Sequence, residues 1–298
     1  MPMRFKRLQK TLASVVHVSG RGYWSGAPVT VTFEPAPENS GIRFKRVDLP
    51  RQPSLAAVAK HRTEATLRTR LQADECSVEM IEHVMSALYA MEIDNCVVLC
   101  NACEMPGLDG SAMAYALAIE HAGTVTQSDT CPLMCIDAPF RIGDDRQWIM
   151  ALPTSEPGLQ CEYRLDYGND SVIASSTFRA SLSPKTFIDE IAAARTFVTE
   201  SEAAQLQARG LAKHVSHRDL LVFGEEGPID NVLRFDDECA RHKLLDLVGD
   251  LALCGMPLQG KIVAYRSGHN MNGEMAQWLS AQSNRSQTHR MVPYRKVA

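Results

Sequence analysis

Residues 236–253, DDECARHKLLDLVGDLAL, constrain this chain more than any other stretch. His242, Asp246 and Asp250 recur four residues apart, so on a helix their side chains form a single ridge. Leu244, Leu245, Leu247, Val248, Leu251 and Leu253 supply the face that packs inward. The inward packing of that face carries the ridge of His242, Asp246 and Asp250 with it, a costly arrangement for groups without a task. An imidazole and a carboxylate at i and i+4 reach one metal ion, and a carboxylate one turn later orients a partner behind it. The segment reads as the centre of a metal-dependent active site, to which the fold must bring at least one further ligand.

The bulk numbers fit an enzyme. A chain of 298 residues forms two domains of ordinary size or one large one. With 45% hydrophobic and 22% charged residues it is globular and soluble. A net charge of -4 gives no electrostatic case for nucleic acid or an acidic membrane. No apolar run approaches the roughly 18–20 residues of a transmembrane segment, and the basic start MPMRFKRLQK is followed by no apolar core of a secretory signal. The nine cysteines are odd in number and several lie in apolar segments, as reduced thiols of a cytoplasmic protein do. Cys100/Cys103 and Cys131/Cys135 match no ribbon or finger spacing. A monomer is the favoured state.

The pattern predicts an α+β protein. Strands are expected at 14–19, 28–34, 41–46 and 95–100, with helices at 77–91, capped by Ser77, and from Ala112 to a stop at Gly123. Residues 127–132 read as a linker. Strands follow at 133–140, 147–152, 160–166 and 171–179, then helices near 184–191 and 200–209, the strand 220–223, the HKLLD helix, the strand 261–266 and a helix at 272–281. The tail after about residue 283 is expected to fray. Each half is a β-rich stretch followed by helices. That order suits two similar domains, 1–126 and 127–298, each a sheet on helices, packed helix layer to helix layer.

The third ligand is best sought at His83, in an apolar helix and directly after Glu82. A glutamate beside a ligand histidine is a familiar general base of metallohydrolases. Taken alone, the pair fits a satisfied core histidine and a surface charge better. His269, in the loop-like AYRSGHN, can be held as an imidazolium by Asp250; an ordinary loop histidine is the alternative. Thr196, in ARTF, has a hydroxyl for a developing oxyanion. Lys243 and Arg266 flank the ridge in sequence and can hold phosphates, though either alone reads as a surface cation. PGLDGS (106–111) is a turn and lacks the phosphate-loop pattern.

These motifs in this order, VEMIEHVMSALYAMEIDN, EMPGLDGSA, ARTF, LRFDDECARHKLLDLVGDLALCG and YRSGHNMN, resemble the zinc-dependent UDP-3-O-acyl-N-acetylglucosamine deacetylases of lipid A biosynthesis. The likeness extends from about Arg7 to Leu279. It implies two α+β domains with the active site between facing helix layers. It implies zinc held by His83, His242 and Asp246; Fe²⁺ can occupy similar N/O sites. Glu82 would be the general base, His269 the general acid, Asp250 its orienting carboxylate and Thr196 the oxyanion donor. Lys243, Arg266 and Phe197 would contact a UDP-linked acylated amino sugar. Two departures stand out: Trp24 in GYWSG, where the family usually has histidine, and His214–Val215 where it usually has glycines beside the acyl passage. They keep open an amidohydrolase acting on another N-acetylated sugar nucleotide. A catalytically silent relative would have lost one of the site residues, and none is lost.

Overall fold

The computed structural model describes residues 7–288. The first part of the chain contains β1 (Leu8–Leu12), β2 (Val16–Arg21), β3 (Pro28–Pro35), β4 (Ile42–Arg46), β5 (Ser54–Ala56), β6 (Arg62–Thr63), β7 (Arg70–Ala73) and β8 (Cys76–Glu79). Helix α1 (Glu82–Ala90), β9 (Cys96–Cys100), helix α2 (Met113–Ala122) and β10 (Thr124–Thr130) follow. Alternation builds the main sheet: in β3, Val29, Val31 and Phe33 are buried and their neighbours are not. Helix α1 is apolar on nearly every side and is buried accordingly.

The second part begins with β11 (Met134–Cys135), β12 (Phe140–Gly143), β13 (Trp148–Leu152), β14 (Leu159–Leu165) and β15 (Ser176–Ser181). Helix α3 (Pro184–Thr186) runs into a π-turn at Phe187–Ile191, followed by β16 (Phe197–Thr199), α4 (Glu200–Ala208), β17 (Leu221–Gly224) and β18 (Gly227–Pro228). Helix α5 (Glu238–Leu251), β19 (Leu258–Tyr265) and helix α6 (His269–Thr288) complete the described chain.

The protein is thus mixed α+β. Its first main sheet has the order β2-β3-β9-β4-β5, and its second runs β12-β13-β19-β14-β15, with β11 added beside β19. The two orders are the same in rank and direction. In each, the last strand is antiparallel to the second and parallel to the third. Each sheet has its own small companion, β6-β7-β8 in the first part and β16-β17-β18 in the second.

Helices α1 and α5 lie against one another, and a glycine sets how closely. A Cβ built on Gly249 would stand 2.0 Å from the Glu82 carbonyl oxygen. Only a residue without a side chain lets the two backbones meet there.

Several local expectations change. Ser77 is no helix cap: it lies in β8, where the hairpin with β7 brings Arg70 Nε to donate to its Oγ at 3.0 Å. Helix α1 starts later and its first residue is Glu82. Residues 127–132 are largely strand, because Thr124–Thr130 pair with β1. That strand has no buried side chain, so nothing in its polarity distinguishes it from a linker. The strand expected at 133–140 is two short pieces, and the one expected at 171–179 begins at Ser176. Helix α6 begins at His269, so that residue opens a helix and is not held in a loop. The helix continues to Thr288, past the point where fraying was expected; residues 289–298 lie outside the described part.

Candidate active site

The four-residue spacing on α5 becomes a real ridge. Asp246 stands at its centre, with its Oδ1 3.5 Å from His242 Nε2 and 3.6 Å from His83 Nε2. The three ligand atoms lie within 4.8 Å of one another, and all three residues are buried. Atoms bound about 2.0–2.1 Å from one ion at tetrahedral angles stand roughly 3.3 Å apart, so the set has the dimensions of a metal site.

The protonation states fit as well. Burial lowers His242 to about 3, against the pull of Asp246, which leaves a neutral imidazole. Its Nδ1 sits 3.1 Å from the Ala194 carbonyl, which fixes the proton on that nitrogen and turns Nε2 towards the cluster. Burial opposes ionisation of Asp246, but the Lys243 ammonium outweighs it and holds the carboxyl well below its usual range. Lys243 Nζ donates to Asp246 Oδ2 at 2.7 Å, leaving Oδ1 for the histidine side.

Behind the cluster is a second set. His269 Nδ1 lies 2.9 Å from Asp250 Oδ2, and Asn272 Nδ2 donates to the same oxygen at 2.9 Å. Asp250 Oδ1 accepts from the Thr69 hydroxyl. Burial works against a charged His269, yet Asp250 prevails and raises it to about 9. Glu82 is also buried; desolvation pushes its pKa above the usual range, against His269 and His83.

A cavity of about 750 Å³ opens in front of the cluster. Glu82, His83, Thr196, Lys243 and His269 line it, and so does Phe197, whose ring meets His242 edge-on at 6.1 Å. Thr196 reaches the cavity with its hydroxyl engaged: Oγ1 donates to the Gly110 carbonyl at 3.0 Å. Arg195 anchors the ARTF segment through its buried ion pair with Glu238 at 2.7 Å. Arg266 is exposed and does not line the cavity. Of the residues singled out from sequence, all but Arg266 are drawn together at or directly behind the cavity.

Sequence reasoning missed Thr69 and Asn272, both buried and both bonded to Asp250. Asn272 was within reach, because i to i+3 from His269 is one helix face once the helix is known to start there. Thr69 had no local signal.

The departures from the expected motif also lie here. Trp24 lines the cavity, with the Arg68 guanidinium 4.7 Å from its ring and its backbone N–H donating to Glu104. The His214 ring packs so closely on Gly26 that a Cβ there would come within 2.0 Å of it. Val215 lines the cavity wall.

Residues 9–281 match the family model described as LpxC: UDP-3-O-acyl N-acetylglycosamine deacetylase. The chain is similar to the bifunctional enzyme LpxC/FabZ of Bacteroides thetaiotaomicron, 36% identical over 296 residues, which takes in 91% of this chain and 64% of that longer protein. It is 38% identical over 265 residues to the UDP-3-O-acyl-N-acetylglucosamine deacetylase of Anaeromyxobacter dehalogenans, covering 89% of this chain and 84% of that one. With the enzyme of the same name from Chlamydia felis the identity is 37% over 268 residues, covering 90% and 95%.

Proposed function

The chain belongs to the UDP-3-O-acyl-N-acetylglucosamine deacetylase family, and from that membership we propose that it hydrolyses the N-acetyl group of a UDP-linked, 3-O-acylated glucosamine in lipid A biosynthesis, releasing acetate. The observation that carries the reading is the buried His83, His242 and Asp246 cluster beside a cavity that also receives Glu82 and His269.

Two imidazole nitrogens and one carboxylate suit zinc, and Fe²⁺ is accepted by similar N/O sets. His83, His242 and Asp246 would hold the ion. When bound, it supplies Lewis acidity to the acetamide carbonyl and makes water a nucleophile near neutral pH.

The remaining work belongs to the side chains. Glu82 takes the proton of the attacking water; its raised pKa makes it a better acceptor than an exposed carboxylate. Thr196, by rotating its hydroxyl away from the Gly110 carbonyl, donates to the oxyanion of the tetrahedral intermediate. His269 is protonated at neutral pH and delivers its proton to the leaving amine. Asp250 keeps the imidazole charged and aimed. Lys243 contacts the substrate near the metal ligands, Phe197 offers a ring face, and Arg266, exposed and outside the cavity lining, would meet the diphosphate.

The repeated strand order supports two similar domains with α1 and α5 between the sheets. We set their junction after β10, a few residues beyond 126, because that strand pairs with β1. Membership of the family supports a cytoplasmic enzyme; among the described residues no helix is long and apolar enough to cross a membrane.

Acetate release by the metal-loaded protein tests the reading with two substrates, UDP-3-O-acyl-N-acetylglucosamine and the same sugar nucleotide without its acyl chain. Strong preference for the acylated compound is expected. Equal turnover would move the substrate elsewhere, and no turnover of either would sink the assignment.

A further inference from the structure

Asp250 is fully buried, and its two oxygens are taken by residues from different parts of the chain. His269 and Asn272 share Oδ2, both from α6; Oδ1 is taken by Thr69, which precedes β7. Thr69 makes a second bond in the opposite direction. Its backbone N–H donates to Glu82 Oε2 at 3.0 Å. One residue therefore touches the carboxylate of α1 that accepts the water proton and the carboxylate of α5 that orients the proton donor. Among the described residues this N–H is the only hydrogen bond made to the Glu82 carboxylate, so Oε1 is left to face the substrate.

We propose that Thr69 is a positioning residue for the deacetylation, holding Glu82 and Asp250 in one fixed relation across the contact between α1 and α5. The inference rests on the deacetylase reading above. Two buried carboxylates that close repel each other and favour rotation apart, and a donor directed at each opposes that. Rotation of Glu82 would move the accepting oxygen away from the water. Rotation of Asp250 would swing His269 from the leaving nitrogen. Thr69 is itself held on both sides: Arg68 Nε pairs with Glu79 at 3.0 Å, and Arg70 Nε donates to Ser77 at 3.0 Å. It is buried and does not line the cavity, so it acts through the two carboxylates and not on the substrate.

Thr69→Val keeps the branched shape and the backbone N–H and removes only the hydroxyl, whereas Thr69→Ser keeps the hydroxyl. Each is made alone and with Asp250→Asn, and kcat, KM, bound metal and thermal unfolding are measured. The valine variant is expected to lose kcat by about 10–100-fold, with KM nearly unchanged and the metal retained. Serine should restore most of it. In the Asp250→Asn background the valine substitution should have no further effect on kcat, because its partner is already altered. Unfolding curves separate loss of fold from loss of positioning, and Thr69→Ala replaces the valine variant if that one does not fold. An unchanged kcat, equal losses for serine and valine, or independent losses with Asp250→Asn would each overturn the proposal while leaving the deacetylase reading intact. Absence of acetate release from the unaltered protein would overturn that reading, and this inference with it.

Discussion

The two main sheets follow one strand plan, and the helices that follow occupy matching places: α1 precedes β9 as α5 precedes β19, and α2 and α6 come after them. The insertions differ. In the first part, β6-β7-β8 is a compact hairpin sheet that delivers Thr69 to the carboxylates of Glu82 and Asp250. In the second, β16-β17-β18 carries α4, a helix with no buried residue that contributes Leu206 to the cavity wall. The helices differ too. Helix α1 supplies Glu82 and His83 at its first turn, while α5 supplies its groups along the length of its ridge. A repeated scaffold fixes where helices meet, and the unequal insertions and side chains decide what happens at the contact.

The largest effects should come from the helix pair. His242→Ala, on α5, is expected to strip the metal and abolish acetate release; full occupancy by metal analysis would refute the ligand assignment. Glu82→Gln, on α1, should keep the metal and lower kcat by about 10²–10⁴-fold. If both variants lost metal alike, the division of labour between the helices would fall.

Next in size is the crossing itself. Gly249→Ala places a methyl against the Glu82 carbonyl, so the helices must separate, at a cost of about 1–3 kcal/mol. A lower Tm together with reduced kcat is expected. A normal Tm and kcat would show that the contact is not as tight as it stands here.

The second sheet also carries a charge cluster. Burial opposes ionisation of Glu162, but Arg179, Arg164 and Lys261 outweigh it and hold the carboxyl at about 2. The folded value lies below the unfolded one, about 4.3. The stabilisation is therefore present above about pH 4.3 and is lost as the pH falls towards 2. Glu162→Gln should be least stable relative to the parent at neutral pH, with the gap in Tm closing through that window. A gap independent of pH would remove the role of its charge.

The smallest effect concerns the second insertion. Thr199 caps α4 in a reciprocal box with Glu202, and Thr199→Ala should weaken that helix by about 1 kcal/mol. Amide exchange across residues 200–208 should quicken with little change in global Tm. A large drop in Tm would mean that the insertion is as integral as β6-β7-β8.

The local features that sequence reports well are those with a period. The burial of β3 and the ridge on α5 follow from spacing alone, and the helix from Met113 to Gly123 ends where glycine allows φ of 67°. Ser77 misled because an apolar run preceded by serine suits a helix, while its true partner, Arg70, sits across a hairpin. Strand β10 was hidden because its polar sequence has no face to bury, and its order comes from backbone pairing with β1. Glu82 and His83 were legible as a motif, though as isolated residues they pointed elsewhere.

What the sequence determined by itself is the candidate metal ridge: His242 and Asp246 share a helix face because 3.6 residues make a turn, whatever surrounds them. Which side chains complete the site was decided by the tertiary structure. His83 meets that ridge because α1 crosses α5 at Gly249, and the Thr69 hydroxyl reaches Asp250 across 181 residues of chain. No local periodicity spans such a separation, so the contact exists only once the helices have packed.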